Sequence, residues 1–308
     1  MKVLITGVGG FIGSHLAAAH LAQGHQVVGI DNLSTGNLAN LKPLEGLVFI
    51  EGGVTETLKK VPNDINIAYH FASPASPKKY MALAMNTMEV NTIGTLSLLE
   101  FCGSSGARLV FASTSEVYGD PLVSPQIEGY WGNVNPIGPR SVYDEAKRFG
   151  ETLVAHFQRE TQVNAGIVRI FNTYGPNMDP YDGRVVSNFI RQALTNEPIT
   201  IYGKGEQTRS FCYIEDLVRG IVAMGTSSHT GPVNLGNPRE NTLLELAEMV
   251  VSILRSESEI EFLPLPEDDP QRRNPDISLA RKILGWEPAV SLEEGISKTA
   301  KWMSSILE

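Results

Sequence analysis

The 308-residue chain has only two cysteines, Cys102 and Cys212, far apart and outside any C-x-x-C or Cys/His cluster. That weighs against a disulfide framework and a structural metal site, and leaves both as core thiols. It also has no long basic run: 25 Lys and Arg stand against 34 Asp and Glu, a net charge of −9. Nucleic acid and anionic membranes are therefore poor partners. No stretch approaches the ~20 apolar residues of a spanning helix. After Met1-Lys2 only Val3, Leu4 and Ile5 precede Thr6-Gly7, too few for the apolar core of a signal peptide, so the chain reads as cytoplasmic. Internal repeats and low-complexity tracts are missing too, and only 267–276 (Glu-Asp-Asp-Pro-Gln-Arg-Arg-Asn-Pro-Asp) is strongly polar, a stretch expected to stay out of the core. What the sequence does have is 42% apolar residues, enough for one large core with a smaller lobe beside it.

The first half alternates short apolar, β-branched runs with longer helical patterns, the rhythm of a doubly wound parallel α/β sheet. Strands are expected at Lys2–Thr6, Gln26–Asp31, Leu47–Glu51, Asn66–Ala72, Arg108–Thr114 and Ala165–Phe171, with helices over 11–23, 86–105 and 142–160. Ser141, three residues before Asp144, reads as the N-cap of the last. Beyond Phe171 glycine, proline and asparagine become dense, and helical patterns return near 186–196, 214–226, 242–255 and 292–306. The expected division is a Rossmann domain (residues 1–173 with 213–238) and a smaller mixed α/β substrate lobe (174–212 with 239–308).

Gly7-Val8-Gly9-Gly10-Phe11-Ile12-Gly13 leaves the first strand and opens the first helix. Glycines at 7, 10 and 13 permit a tight turn, close approach to a pyrophosphate at the helix N-terminus, and close helix–strand packing. Asp31 ends the next strand, where a carboxylate can accept from a ribose 2′-hydroxyl and repel a 2′-phosphate, which favours NAD over NADP. Asn32, Ser34 and Gly36 follow as a loop beside the adenosine. Tyr143 and Lys147, four apart in a helical pattern, share one face, and an ammonium next to a phenol favours the phenolate that could take a hydroxyl proton. Alone, Y-x-x-x-K is a common surface pair; behind a dinucleotide motif it is a catalytic candidate. Ser113-Thr114-Ser115-Glu116 leaves the end of a central strand, where doubly wound sheets place their ligands.

Together with His70-Phe71-Ala72, these motifs resemble the extended short-chain dehydrogenase/reductase superfamily. Within it, Thr114-Ser115-Glu116-Val117-Tyr118-Gly119, Asn135-Pro136-Ile137-Gly138-Pro139-Arg140, Tyr143-Asp144-Glu145, Arg169-Ile170-Phe171-Asn172 and Gly183-Arg184-Val185-Val186-Ser187-Asn188-Phe189 resemble the UDP-glucuronate decarboxylases, from Lys2 to about Trp302.

That resemblance implies a catalytic NAD, a UDP-sugar substrate and a homodimer built on helices near 86–105 and 142–160. Tyr143, Lys147, Thr114 and Ser115 would act at the sugar C4 oxygen, and Glu116 with Arg273 around the C6 carboxylate and C5. Phe11, Ile12, Val54, Phe71, Ala72, Ser73 and Asn91 would add cofactor contacts. Asn172, Arg184, Val185, Tyr202, Gln207 and Arg209 would hold the nucleotide, and Tyr80 the sugar. Ser115 stands where 4,6-dehydratases carry Asp, which disfavours dehydration. A UDP-glucuronate 4-epimerase, a decarboxylase that releases the 4-keto pentose, and a silent dinucleotide-binding scaffold are the alternatives. Two departures stand out: Gly53-Val54 where the family has Asp-Val, and Lys78-Lys79 in place of a neutral pair.

Overall fold

The computed structural model describes residues 1–264 and 272–307. Six expected runs form strands: β1 (Lys2–Thr6), β2 (Gln26–Asp31), β3 (Leu47–Glu51), β4 (Ile67–His70), β5 (Arg108–Thr114) and β6 (Ala165–Ile170). A further strand, Pro232–Leu235, pairs with β6, and among the described residues the sheet has seven strands, all parallel. Its order runs from Pro232–Leu235 through β6, β5, β4, β1 and β2 to β3. The chain starts at β1 and winds first one way to β3, then back to β4 on the other side. The switch point thus lies between β1 and β4, where Thr6 pairs with His70 and the carboxyl ends of the strands open a crevice.

Both faces of the sheet are covered, which is why β5 is buried throughout and, after Arg108, apolar or small. Under one face Leu4, Ala68, Leu109 and Phe111 pack with Leu98, Leu99 and Val154 of the helices Thr95–Ser105 and Ser141–Thr161. On the other, Val3, Ile5, Tyr69 and Val168 join Leu16 and Met224, and this cluster continues without a break to Phe189, Leu246, Ile296 and Met303. The helices Val185–Leu194, Leu243–Leu254 and Leu292–Leu307 share that core. Thr242 caps the second of these in a capping box with Glu245.

Two expectations about helices need correction. The 86–105 pattern is not one α-helix: Ala84–Glu89 runs into a π-helical turn at Val90–Gly94 before Thr95–Ser105 begins. His70 Nε2 lies 3.1 Å from the Val90 carbonyl oxygen and supplies a partner from outside the helix, as happens where π turns serve a site. Nor does Ser141 cap its helix. Arg140 is the N-cap residue, without a side-chain cap, and the Asp144 carboxyl is engaged elsewhere.

The polar run is the third correction. Residues 267–271 lie outside the described residues, but its end is packed inside. Gln126, fully buried, exchanges backbone hydrogen bonds with Asn274 and Asp276, and its side chain accepts from the Asn274 N–H at 2.8 Å. This pairing, and the register of Arg273 beside Arg209 on the strand Thr208–Ser210, bring Arg273 inward. Hydrogen bonding rather than hydrophobicity buries the segment.

Candidate active site

The glycine turn shows why those positions exclude a side chain. A Cβ on Gly13 would sit 2.0 Å from the Gly7 carbonyl oxygen, and one on Gly7, at φ +75°, 2.5 Å from the Phe71 carbonyl oxygen. Gly10 starts the helix Phe11–Ala22 as its N-cap residue. Asp31 is buried at the end of β2, where Oδ2 accepts from the Gly9 N–H at 2.8 Å and Oδ1 from the Leu33 N–H at 2.7 Å. Burial raises its pKa against those two hydrogen bonds. The loop bearing Asn32, Ser34 and Gly36 folds back over the turn, with Asn37 N–H and Asn40 Nδ2 both donating to the Gly9 carbonyl. Val54 is buried at the start of a short helix whose N-cap is Gly53. Ser73 Oγ accepts from Asn91 Nδ2 at 2.9 Å, while Asn91 Oδ1 is buried without a partner.

A cavity of about 430 Å³ runs from Ile12 and Phe71 past the ends of β5 and β6 to Thr200, Tyr202, Gln207 and Arg209. Ile12, Phe71 and Ser73 line its cofactor end; Thr114, Ser115, Glu116, Tyr143 and Lys147 line its middle. Asn172, Arg184, Val185, Tyr202, Gln207, Arg209 and Arg273 line the rest. Tyr80 is a correction to the sugar contacts: it is fully buried outside the cavity wall, its ring stacked parallel on Tyr143 at 4.8 Å. At the far end Gln207 Nε2 donates to the Tyr202 carbonyl, and Arg184 Nε lies 3.1 Å from Asp182. Lys79, half of the Lys78-Lys79 departure, forms an ion pair with Asp179 at 2.7 Å.

Tyr143 and Lys147 do share a helix face, but their relation is not the direct ammonium–phenol contact expected. Lys147 Nζ donates to the Ala112 carbonyl at 2.7 Å and lies 5.8 Å from the Tyr143 ring centre. Burial pushes its pKa down to about 7. Burial and the Glu116 charge raise that of Tyr143, and a hydrogen bond with Thr114 opposes them.

Glu116 is the centre of a charged cluster. The Thr114 hydroxyl accepts from its backbone N–H, which starts the short 3-10 turn Ser115–Tyr118 and turns the side chain inward. Its Oε2 pairs with Arg140 at 2.8 Å and its Oε1 with Arg273 at 3.2 Å. Burial alone would raise its pKa; the Arg273 and Arg140 charges and a hydrogen bond from Asp144 overcome that and hold it at about 2. Arg140 and Asp144 were not among the candidates. The signal was available: positions 140, 144 and 147 follow the 4-3 spacing of one helix face.

The residues 3–236 match the model of the NAD dependent epimerase/dehydratase family. Over 307 residues the chain is 50% identical to UDP-glucuronic acid decarboxylase 1 of Danio rerio, covering 100% of this chain and 73% of that one. It is 49% identical over 300 residues to UDP-glucuronic acid decarboxylase 6 of Arabidopsis thaliana, covering 96% and 87%. The chain belongs to the NAD dependent epimerase/dehydratase family, among its UDP-glucuronic acid decarboxylases.

Family structures share the whole architecture. UDP-glucose 4-epimerase from Thermotoga maritima, solved with UDP-glucose, superposes with a TM-score of 0.93 at 31% identity, covering 100% of both chains. UDP-glucuronic acid 4-epimerase from Bacillus cereus, solved with UDP-glucuronic acid and NAD, does so at 0.89 and 30%, covering 99% and 100%. NAD is the family's cofactor, and the residues present fit it. The turn leaves no room for side chains where a pyrophosphate must approach. Each Asp31 oxygen keeps lone-pair capacity for a ribose hydroxyl, and the buried Asn91 Oδ1 lacks a donor. Among the described residues no group of His, Cys, Asp and Glu could hold a metal, and no helix is long and apolar enough to cross a membrane.

Proposed function

We propose that the cavity decarboxylates UDP-glucuronate to UDP-xylose, with NAD held at the glycine turn by the residues named above. The observation that carries this reading is Glu116, paired with Arg140 and Arg273, on the wall of the same cavity as Tyr143. When bound, NAD⁺ accepts a hydride from sugar C4 and returns it, so no external oxidant is consumed. Tyr143 takes the C4 hydroxyl proton and later gives it back; the positive charge of bound NAD⁺ would offset the burial that raises its phenol pKa. Thr114 and Ser115 donate to the C4 oxygen as charge develops there. Lys147, anchored on the Ala112 carbonyl, supplies positive charge behind the phenol. A ketone at C4 makes the C6 carboxylate a β-keto acid, and the Arg273 guanidinium, with Glu116, orients that carboxylate and C5. Asn172, Arg184, Val185, Tyr202, Gln207 and Arg209 receive the nucleotide; arginine forks match diphosphate oxygens.

The same reading assigns residues 1–173 with 213–238 to cofactor binding and 174–212 with 239–308 to the nucleotide-sugar, in a cytoplasmic homodimer. Support for the dimer comes from one surface. Met85 (63% exposed), Ile93 (55%) and Phe149 (50%) are large apolar side chains on the neighbouring 84–94 and Ser141–Thr161 helices. Sedimentation should give a dimer that Phe149→Glu dissociates; a wild-type monomer refutes this assignment.

The test of function is incubation with UDP-glucuronate, products identified by NMR while the reduced-nicotinamide absorbance is followed. UDP-xylose without lasting NADH is expected. UDP-galacturonate would establish a 4-epimerase, the activity named for the Bacillus cereus neighbour, and a UDP-4-keto-pentose with NADH would mean release before re-reduction.

A further inference from the structure

Two carboxyl groups share a hydrogen bond only if one of them carries a proton. The Asp144 carboxyl lies against that of Glu116, a residue of the cavity wall, close enough to share one. The surroundings decide which residue keeps it. Both Glu116 oxygens face guanidiniums, whereas Asp144, 6% exposed, has a buried Oδ1 with no partner. Among the described residues, the other ionisable groups around the pair are Arg140 at the N-cap of the Asp144 helix, Arg273 from the strand Arg272–Arg273, Tyr80 from the helix Pro77–Ala82, and Tyr143.

We propose that Asp144 is a positioning residue that stores the proton which Glu116 relays to sugar C5 after carbon dioxide leaves. This rests on the decarboxylase reading. The C5–C6 bond breaks, C6 departs as carbon dioxide, and the bonding pair becomes an enolate over C5, C4 and the C4 oxygen. Asp144 passes its proton to Glu116, and the neutral Glu116 acid delivers it to C5; the enolate pair forms the new C–H bond and the C4 ketone is restored. Both carboxyls are then ionised between two guanidiniums, and water returns one proton to Asp144. Burial, followed by the Glu116 charge and hydrogen bond, pushes the Asp144 pKa up to about 9, so the store is full at neutral pH.

Asp144→Asn tests the proposal, because its amide N–H can still donate to Glu116 and hold that side chain but cannot supply the proton. The holoenzyme is mixed rapidly with UDP-glucuronate and its nicotinamide absorbance followed. NADH should appear at close to the wild-type rate, while its decay and kcat fall about 100-fold and KM stays within about threefold. Wild-type kcat should fall on the alkaline side as the pair loses its proton, and the variant should lose that limb. Unchanged kcat in the variant overturns the proposal, as does equal slowing of NADH appearance and decay, which would mark a merely structural role. Wild-type kcat that is flat from about pH 6 to 10 overturns it without any variant. If the wild type releases no carbon dioxide from UDP-glucuronate, both readings fall; if both proteins make UDP-xylose at equal kcat, only the proton store does.

Discussion

Two buried acids stand at the ends of two parallel strands, and their neighbours make them different groups. Asp31, at the end of β2, meets only backbone N–H donors, and burial wins: its pKa is raised. Glu116, two residues past β5, is as deeply buried, yet the Arg273 and Arg140 guanidiniums win, and its pKa is lowered. Peptide dipoles can orient a carboxylate toward hydroxyl donors. Full charges are needed to fix its protonation state in a site that must handle a carboxylate and a proton. The cofactor end is therefore built from backbone and the sugar end from side chains.

The contrast can be broken one residue at a time. Tyr143→Phe should lower kcat by about 10³-fold and leave bound NAD in place, measured by turnover and by cofactor content after purification. Glu116→Gln should cost about 10²-fold in decarboxylation with NAD affinity unchanged, and wild-type activity would remove Glu116 from the mechanism. Asp31→Ala should do the reverse. The loss of a hydrogen-bonding carboxylate, about 1.5–3 kcal/mol, weakens NAD roughly 10–100-fold while kcat at saturating NAD changes little; titration of the cofactor-free protein decides it.

A smaller effect sharpens the electrostatic side. The native pKa of Asp144 lies above its unfolded value of about 3.9, so between about pH 4 and 9 the native state binds more protons than the unfolded one. Its contribution is present at low pH and is lost as pH rises through that window. Asp144→Asn should flatten this part of the stability profile in urea titrations at several pH values. Smallest of all, Lys79→Ala removes a partly exposed pair with Asp179 and should change stability by no more than about 1 kcal/mol.

The cofactor end was legible because its constraints are local. A glycine triplet, a strand and an acid at a fixed distance specify a backbone turn, and the turn formed where expected. The sugar end was legible only as far as motifs reached. Thr114, Ser115, Glu116, Tyr143, Lys147 and Arg273 do converge on one cavity, but Arg140 and Asp144 were passed over and Tyr80 was assigned to a wall it does not reach. Asp144 looked like half of a helix cap because spacing along the chain cannot show that Glu116, on another element, competes for it. The polar run before Ile277 looked like surface because composition cannot reveal that Gln126 satisfies its backbone from the interior.

Periodicity and glycine placement determined by themselves the doubly wound sheet, its first six strands and the cofactor turn, since alternation and turn chemistry act over a few residues. Only the tertiary structure decided the electrostatic surroundings of Glu116. They depend on two arginines, 140 and 273, which sequence separates by more than a hundred residues and folding brings to the two oxygens of one carboxylate.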